Sequence, residues 1–139
     1  MSVDPTVGTY GFGTTIKLPY TEAIERTKDA LKAEGFGVLT TIDVQATMKE
    51  KLNESFEPYV ILGACNPSLA WRALNAEHDL GLLLPCNVIV HQHGDETAVS
   101  VVDPMVMMGV APDNAALVAV AEEATERLRR VIDALASGA

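Results

Sequence analysis

The last quarter of the chain constrains the fold most. Leu117, Val120, Ala121, Ala124, Leu128, Val131, Ile132 and Leu135 recur at three- and four-residue spacing, which keeps one apolar face for about five turns of helix. Glu122, Glu123 and Glu126 face Arg127, Arg129 and Arg130 on the other side, and Pro112-Asp113 reads as the helix start. So long an apolar stripe has to be covered, and the upstream segments read as strands. Tyr10, Phe12, Thr14, Ile16 and Leu18 alternate with small or polar residues, the period-two pattern of a half-buried strand that Pro19 ends. Phe36, Val38, Thr40 and Ile42 repeat the pattern. Between them a helix is predicted from about Thr21 to a stop at Gly35, with Tyr20, Ile24, Thr27 and Leu31 inward.

The middle of the chain continues the mixture. Asp43 can cap a short helix whose inner face is Val44, Met48 and Leu52. Tyr59 to Ala64 is apolar on both faces, as in a central strand. Asn66-Pro67 then starts a helix that turns Leu69, Ala70, Ala73 and Leu74 inward. From Leu82 the chain reads as strand again, with Cys86, Val88 and Val90 to one side and Asn87, Ile89 and His91 to the other. His93 to Glu96 forms a hairpin loop, Ala98 to Val102 the returning strand, and Asp103-Pro104 its stop. Met105 to Val110 fits either a short strand or a loop. The order of elements predicts an α+β fold: a single compact domain over 1–139, with its core at about 8–136. It has a mostly antiparallel sheet with helices packed on it, a strand-helix-strand start and a long C-terminal helix.

Composition narrows the functional classes. With 139 residues, 48% of them apolar, the chain can bury a real core without staples. No apolar run approaches the ~20 residues that span a bilayer, and the first residues lack the basic flank and apolar core of a secretion signal. Two cysteines without an export signal point to a cytoplasmic protein with free thiols. Nineteen acids against ten bases give a net charge of −9, which argues against nucleic acid and anionic membrane as partners. Gly8, Gly11 and Gly13 lie on a strand rather than opening a helix, and neither a phosphate loop nor a Gly-x-Ser-x-Gly elbow occurs. No enzyme motif is recognised.

What chemistry there is gathers around two Cys-Asn pairs, Cys65-Asn66 and Cys86-Asn87, each with a proline close by at a change of chain direction. Cys65 precedes a helix cap, where the helix amino terminus can stabilise a thiolate, although a small buried residue at a tight junction has the same signature. Cys86 follows Pro85, a residue suited to a sheet edge, bulge or strand start. One reading is therefore a thiol redox enzyme or sensor, with Cys65 as nucleophile and Cys86 as resolving thiol. The leading reading is non-enzymatic: a self-associating, homodimeric domain that binds a small apolar ligand or partner in a cavity or groove bordered by Cys65, Asn66, Cys86 and Asn87. Met105, Met107 and Met108 would form one wall of it or a dimer seam. No dedicated metal site is expected, since His91 and His93 share a strand face but sit beside a hairpin tip, and His78 suits a helix end. A haem or soft-metal site built from the methionines with a thiol or histidine is a further alternative. No particular cofactor follows from the residues.

Three segments, Tyr59 to Pro67, Gly81 to Val88 and Ser100 to Pro104, resemble the bacterial and archaeal "domain of unknown function 302" family. The likeness extends over roughly Tyr10 to Leu135. It implies a compact α+β domain, often a homodimer, and no settled activity.

Overall fold

In the computed structural model, which describes residues 10–109 and 111–138, the alternating first run forms strand β1 (Gly11–Ile16) and turns Phe12, Thr14 and Ile16 into the core. Helix α1 (Tyr20–Ala33) follows Pro19 and buries Ala23, Thr27 and Leu31. It stops before Gly35, whose φ of +85° is open to glycine at no steric cost. Strand β2 (Gly37–Asp43) comes next. The Asp43 carboxylate accepts the Ala46 N–H at 2.9 Å and so caps α2 (Val44–Leu52).

The expected inner face of α2 is not buried. Val44 and Met48 are only half-covered, and Leu52 is 65% exposed. The cause is that α2 follows an edge strand that is itself exposed at nearly every position, so no core lies beneath it.

Strand β3 (Tyr59–Cys65) and helix α3 (Pro67–Ala76) match their sequence signals. A 3-10 segment, His78–Leu83, occupies the stretch where strand was expected to resume; β4 (Cys86–His93) begins only after the cis Leu84–Pro85 bond. β5 (Glu96–Val102) returns through Gly94, φ +61°. Another 3-10 segment, Pro104–Gly109, replaces the strand-or-loop alternatives for Met105 to Val110; Val110 lies outside the described residues. Helix α4 (Ala115–Ala136) is capped by Asn114, whose carboxamide oxygen accepts the Leu117 N–H at 3.1 Å, rather than by Asp113. Its expected apolar stripe is buried from Leu117 to Leu135.

The sheet is antiparallel throughout, in the order β1-β5-β4-β3-β2. Helices α1 and α4 cover one face, over Phe12, Leu62, Val88, Val90, Val99 and Val101. The other face carries half-buried Ile61, Ile89, His91 and Ser100. No helix among the described residues is long and apolar enough to cross a membrane.

Candidate functional site

The two Cys-Asn segments meet at one end of the sheet. Ala64 pairs with Cys86, so the end of β3 and the start of β4 are neighbours. Cys86 points inward and is 9% exposed, whereas Cys65, one residue beyond Ala64 and opposite Gly37, is half-buried. Asn66 leaves β3 with extended backbone and caps α3. Its Oδ1 accepts the Leu69 N–H at 3.2 Å, and its Nδ2 donates to the Glu34 carbonyl at 3.4 Å. The carboxamide is thus occupied at both ends, tying the start of α3 to the end of α1.

Beside this junction a half-open cavity of about 340 Å³ lies between α3, α4 and the strand ends. Small residues account for it. Ala70 and Ala73 of α3, and Ala121 and Ala124 of α4, lie one turn apart on their helices, and all four line the space. Longer side chains at these positions would fill it. Leu80, Leu117 and Cys86, all nearly inaccessible, form the floor. Leu39 and Thr40 form the mouth with Cys65: the β2–β3 register shifts between Val38 and Thr40, leaving Leu39 as a bulge that is 69% exposed. Among the described residues no Asp, Glu, Lys, Arg or His lines the cavity. No buried side-chain nitrogen or oxygen among them lacks a hydrogen-bond partner.

Both cysteines line this space, but not as a preformed disulfide. By register, the α-carbons of Cys65 and Cys86 are diagonal neighbours about 6 Å apart. Successive residues of a strand point to opposite faces, so the two Cα–Cβ bonds diverge, a geometry that resists bridging. Both cysteines are free. Burial, with a smaller contribution from Cys65, pushes the Cys86 thiol up to about 11, which makes it a poor thiolate at neutral pH.

The remaining candidates are dispersed. Asn87 pairs with Gly63 on the opposite face, is exposed and does not line the cavity. Met105 follows the cavity-lining Pro104 and is itself 37% exposed; the side chains of Met107 and Met108 lie outside the described residues. His91 and His93 stand at the far end of β4, roughly 17 and 23 Å along the strand from Cys86. Their rings are 6.5 Å apart edge to face, His91 stacks on Tyr59 at 5.1 Å, and its Nδ1 is 3.4 Å from the Glu57 carboxylate. His78 opens the 3-10 segment after α3. Among the described residues no three His, Cys, Asp or Glu side chains are grouped to hold a metal ion.

The basic residues of α4 are engaged. Arg127 donates to Glu123 and to the Glu34 carbonyl, Arg130 donates to Glu34, and the Arg129 guanidinium lies 4.4 Å from the centre of the Phe12 ring. Hydrogen bonding from Arg72, and then from Arg127, lowers the Glu123 pKa.

No local pattern marks the Leu39–Thr40 bulge or the four alanines as part of a site. The alanine spacing was visible, but it is equally the signature of close helix packing.

Among solved structures, the chain is similar to the crystal structure of an uncharacterized conserved protein DUF302 from Bacillus stearothermophilus. The two share 32% identity with a TM-score of 0.83, over 92% of this chain and 99% of that one. No curated protein matches the chain. The model of the family described as "Domain of unknown function DUF302" matches residues 12–135, and the chain belongs to that family.

Proposed function

We propose that the protein binds a small apolar ligand in the cavity at the Cys65–Cys86 end of the sheet, and that it does so as a homodimer. The observation that carries the ligand reading is the cavity itself. Its volume of about 340 Å³ falls within the ~300–1,000 Å³ of small-molecule sites, and among the described residues no charged side chain lines it. Cys65, Asn66 and Cys86 contribute to that wall, with Pro104 bringing the Met105 segment alongside.

Self-association is supported by the β2–α2 arm. A helix of nine residues is too short to hold itself in water, yet α2 buries none of its side chains. Leu39, Ile42, Leu52 and Phe56 are exposed along the same arm. A thiol-disulfide cycle is less well supported, because the Cα–Cβ bonds of the two cysteines diverge. A haem or soft-metal site built from the methionines with a thiol or a histidine is less well supported, since the β4 histidines stand far along the strand from Cys86 and the cavity-lining segment brings up only Met105 among the described side chains.

Titration with N-phenyl-1-naphthylamine, which fluoresces on entering an apolar site, tests the ligand reading. Saturable binding near one probe per chain is expected. Ala70→Phe, at the half-buried rim, should abolish binding without lowering the melting temperature. No fluorescence gain at any soluble probe concentration, together with no heat of binding from decanol in titration calorimetry, refutes the reading. Sedimentation equilibrium should give twice the chain mass for the wild type and the single mass for Leu52→Glu; a wild-type monomer at all concentrations rejects the dimer.

A further inference from the structure

Building on the reading that the cavity holds a ligand, we infer that the occupant is a single alkyl chain of about ten carbons bearing an uncharged head group, the chain lying between α3 and α4 and the head at Thr40 and Cys65. The length follows from the volume: about 340 Å³ accommodates roughly ten groups of the ~30 Å³ that a water or a methylene takes up in a liquid.

The chain form follows from the walls. Ala70 and Ala73 on one side, and Ala121 and Ala124 on the other, leave a slot along two helices, and Phe36 is the single aromatic lining residue among those described. A slender aliphatic chain suits such walls better than a ring system seeking a stacking partner.

The absence of heteroatoms in the buried part follows from the polar inventory. Asn66 carries the one carboxamide among the described lining residues, and its oxygen and one of its N–H groups already bond Leu69 and Glu34. Burial pushes the Cys86 thiol away from ionisation. A ligand hydroxyl or carbonyl on the floor, among Leu80, Leu117 and Cys86, would find no strong hydrogen-bonding partner. The polar end therefore belongs at the mouth, where Thr40 is exposed and Cys65 half-buried. None of the mouth residues is charged, the chain carries a net charge of −9, and Arg127, which shares the Glu34 carbonyl with Asn66, is already paired with Glu123, so a carboxylate head meets repulsion without an unpaired cation to offset it.

The experiment is displacement of N-phenyl-1-naphthylamine from the full chain by primary alcohols from hexanol to tetradecanol, with decanoate alongside at low salt. Each added methylene should improve displacement about fourfold up to roughly ten carbons, with no further gain beyond, and decanol should outcompete decanoate. Ala73→Leu and Ala121→Leu should each move the plateau to a shorter alcohol; if either variant fails to fold, the wild-type series still decides. Gain continuing through tetradecanol, no dependence on length, or decanoate matching decanol overturns this inference while leaving a bound probe, and the ligand reading, intact. A probe that does not bind, together with decanol that gives no heat of binding in titration calorimetry, overturns both.

Discussion

Replacing Cys86 by alanine should remove a specific part of the protein's alkaline instability. Cys86 is 9% exposed, and burial raises its thiol from 9.0 to about 11, with Cys65 adding a smaller push in the same direction. The folded chain therefore keeps this proton at pH values where the unfolded chain has released it. Because the folded value is the higher one, the stabilisation is complete below about pH 9 and is lost as pH rises through about 11. That rise in the thiol pKa corresponds to roughly 2.7 kcal/mol. Urea unfolding of wild type and Cys86→Ala, followed by far-ultraviolet circular dichroism from neutral to strongly alkaline pH, isolates it. Tyrosines and lysines titrate in the same window, but they are common to both proteins and cancel in the difference. The wild type should lose about 2 kcal/mol relative to the variant between about pH 9 and 11. A constant difference across that range refutes the burial argument, as does rapid alkylation of Cys86 in the folded protein at neutral pH.

Three further outcomes follow from the packing. Asn66→Ala should cost about 1 kcal/mol through loss of the α3 cap, and Asn66→Asp less, because the aspartate still accepts from Leu69; equal losses in urea unfolding would contradict the cap. At Gly63 an added Cβ runs into Thr40 Oγ1 and lies 2.9 Å from Pro85 Cγ, so Gly63→Ala should cost about 1–3 kcal/mol. Thr40→Ala in the same chain should recover part of that loss, and strictly additive losses would show that the two sites do not touch. Leu128→Ala should cost about 2–5 kcal/mol, against at most about 0.5 kcal/mol for Trp71→Ala, since Leu128 is inaccessible and Trp71 is 69% exposed; comparable melting temperatures would contradict the core assignment.

The parts of the fold legible in the sequence are those where a local pattern has one physical solution. The stripe from Leu117 to Leu135 can be covered only as a helix face, and it is buried as such. Asn66-Pro67 after an apolar run satisfies the cap and the first-turn backbone together, and the helix starts there. The errors arise where the pattern reports which residues share a face but not whether anything covers it. Val44, Met48 and Leu52 do fall on one side of α2, yet that helix hangs from an edge strand with no core beneath it. Leu80 to Leu84 is apolar enough for a strand, but it winds into a 3-10 segment before Pro85.

The candidate site marks the same boundary more sharply. The proximity of Cys65 and Cys86 could be suspected because each ends or begins an apolar run, and antiparallel pairing of β3 with β4 brings such ends together. That their side chains take opposite directions depends on register, and a shift of one residue would reverse it. The cavity was still less legible. Alanines one turn apart on two helices either let the helices close or leave a slot, and the choice belongs to the bulky neighbours that hold them apart. Here Leu69 and Leu74 on α3, with Val120 on α4, line the same space and limit its width. Shortening one of these side chains should therefore enlarge the site, because the surrounding core relaxes only in part. Val120→Ala is expected to lengthen the alcohol at which displacement levels off, at modest cost in stability, whereas a plateau at a shorter alcohol would show that the helices close over the gap.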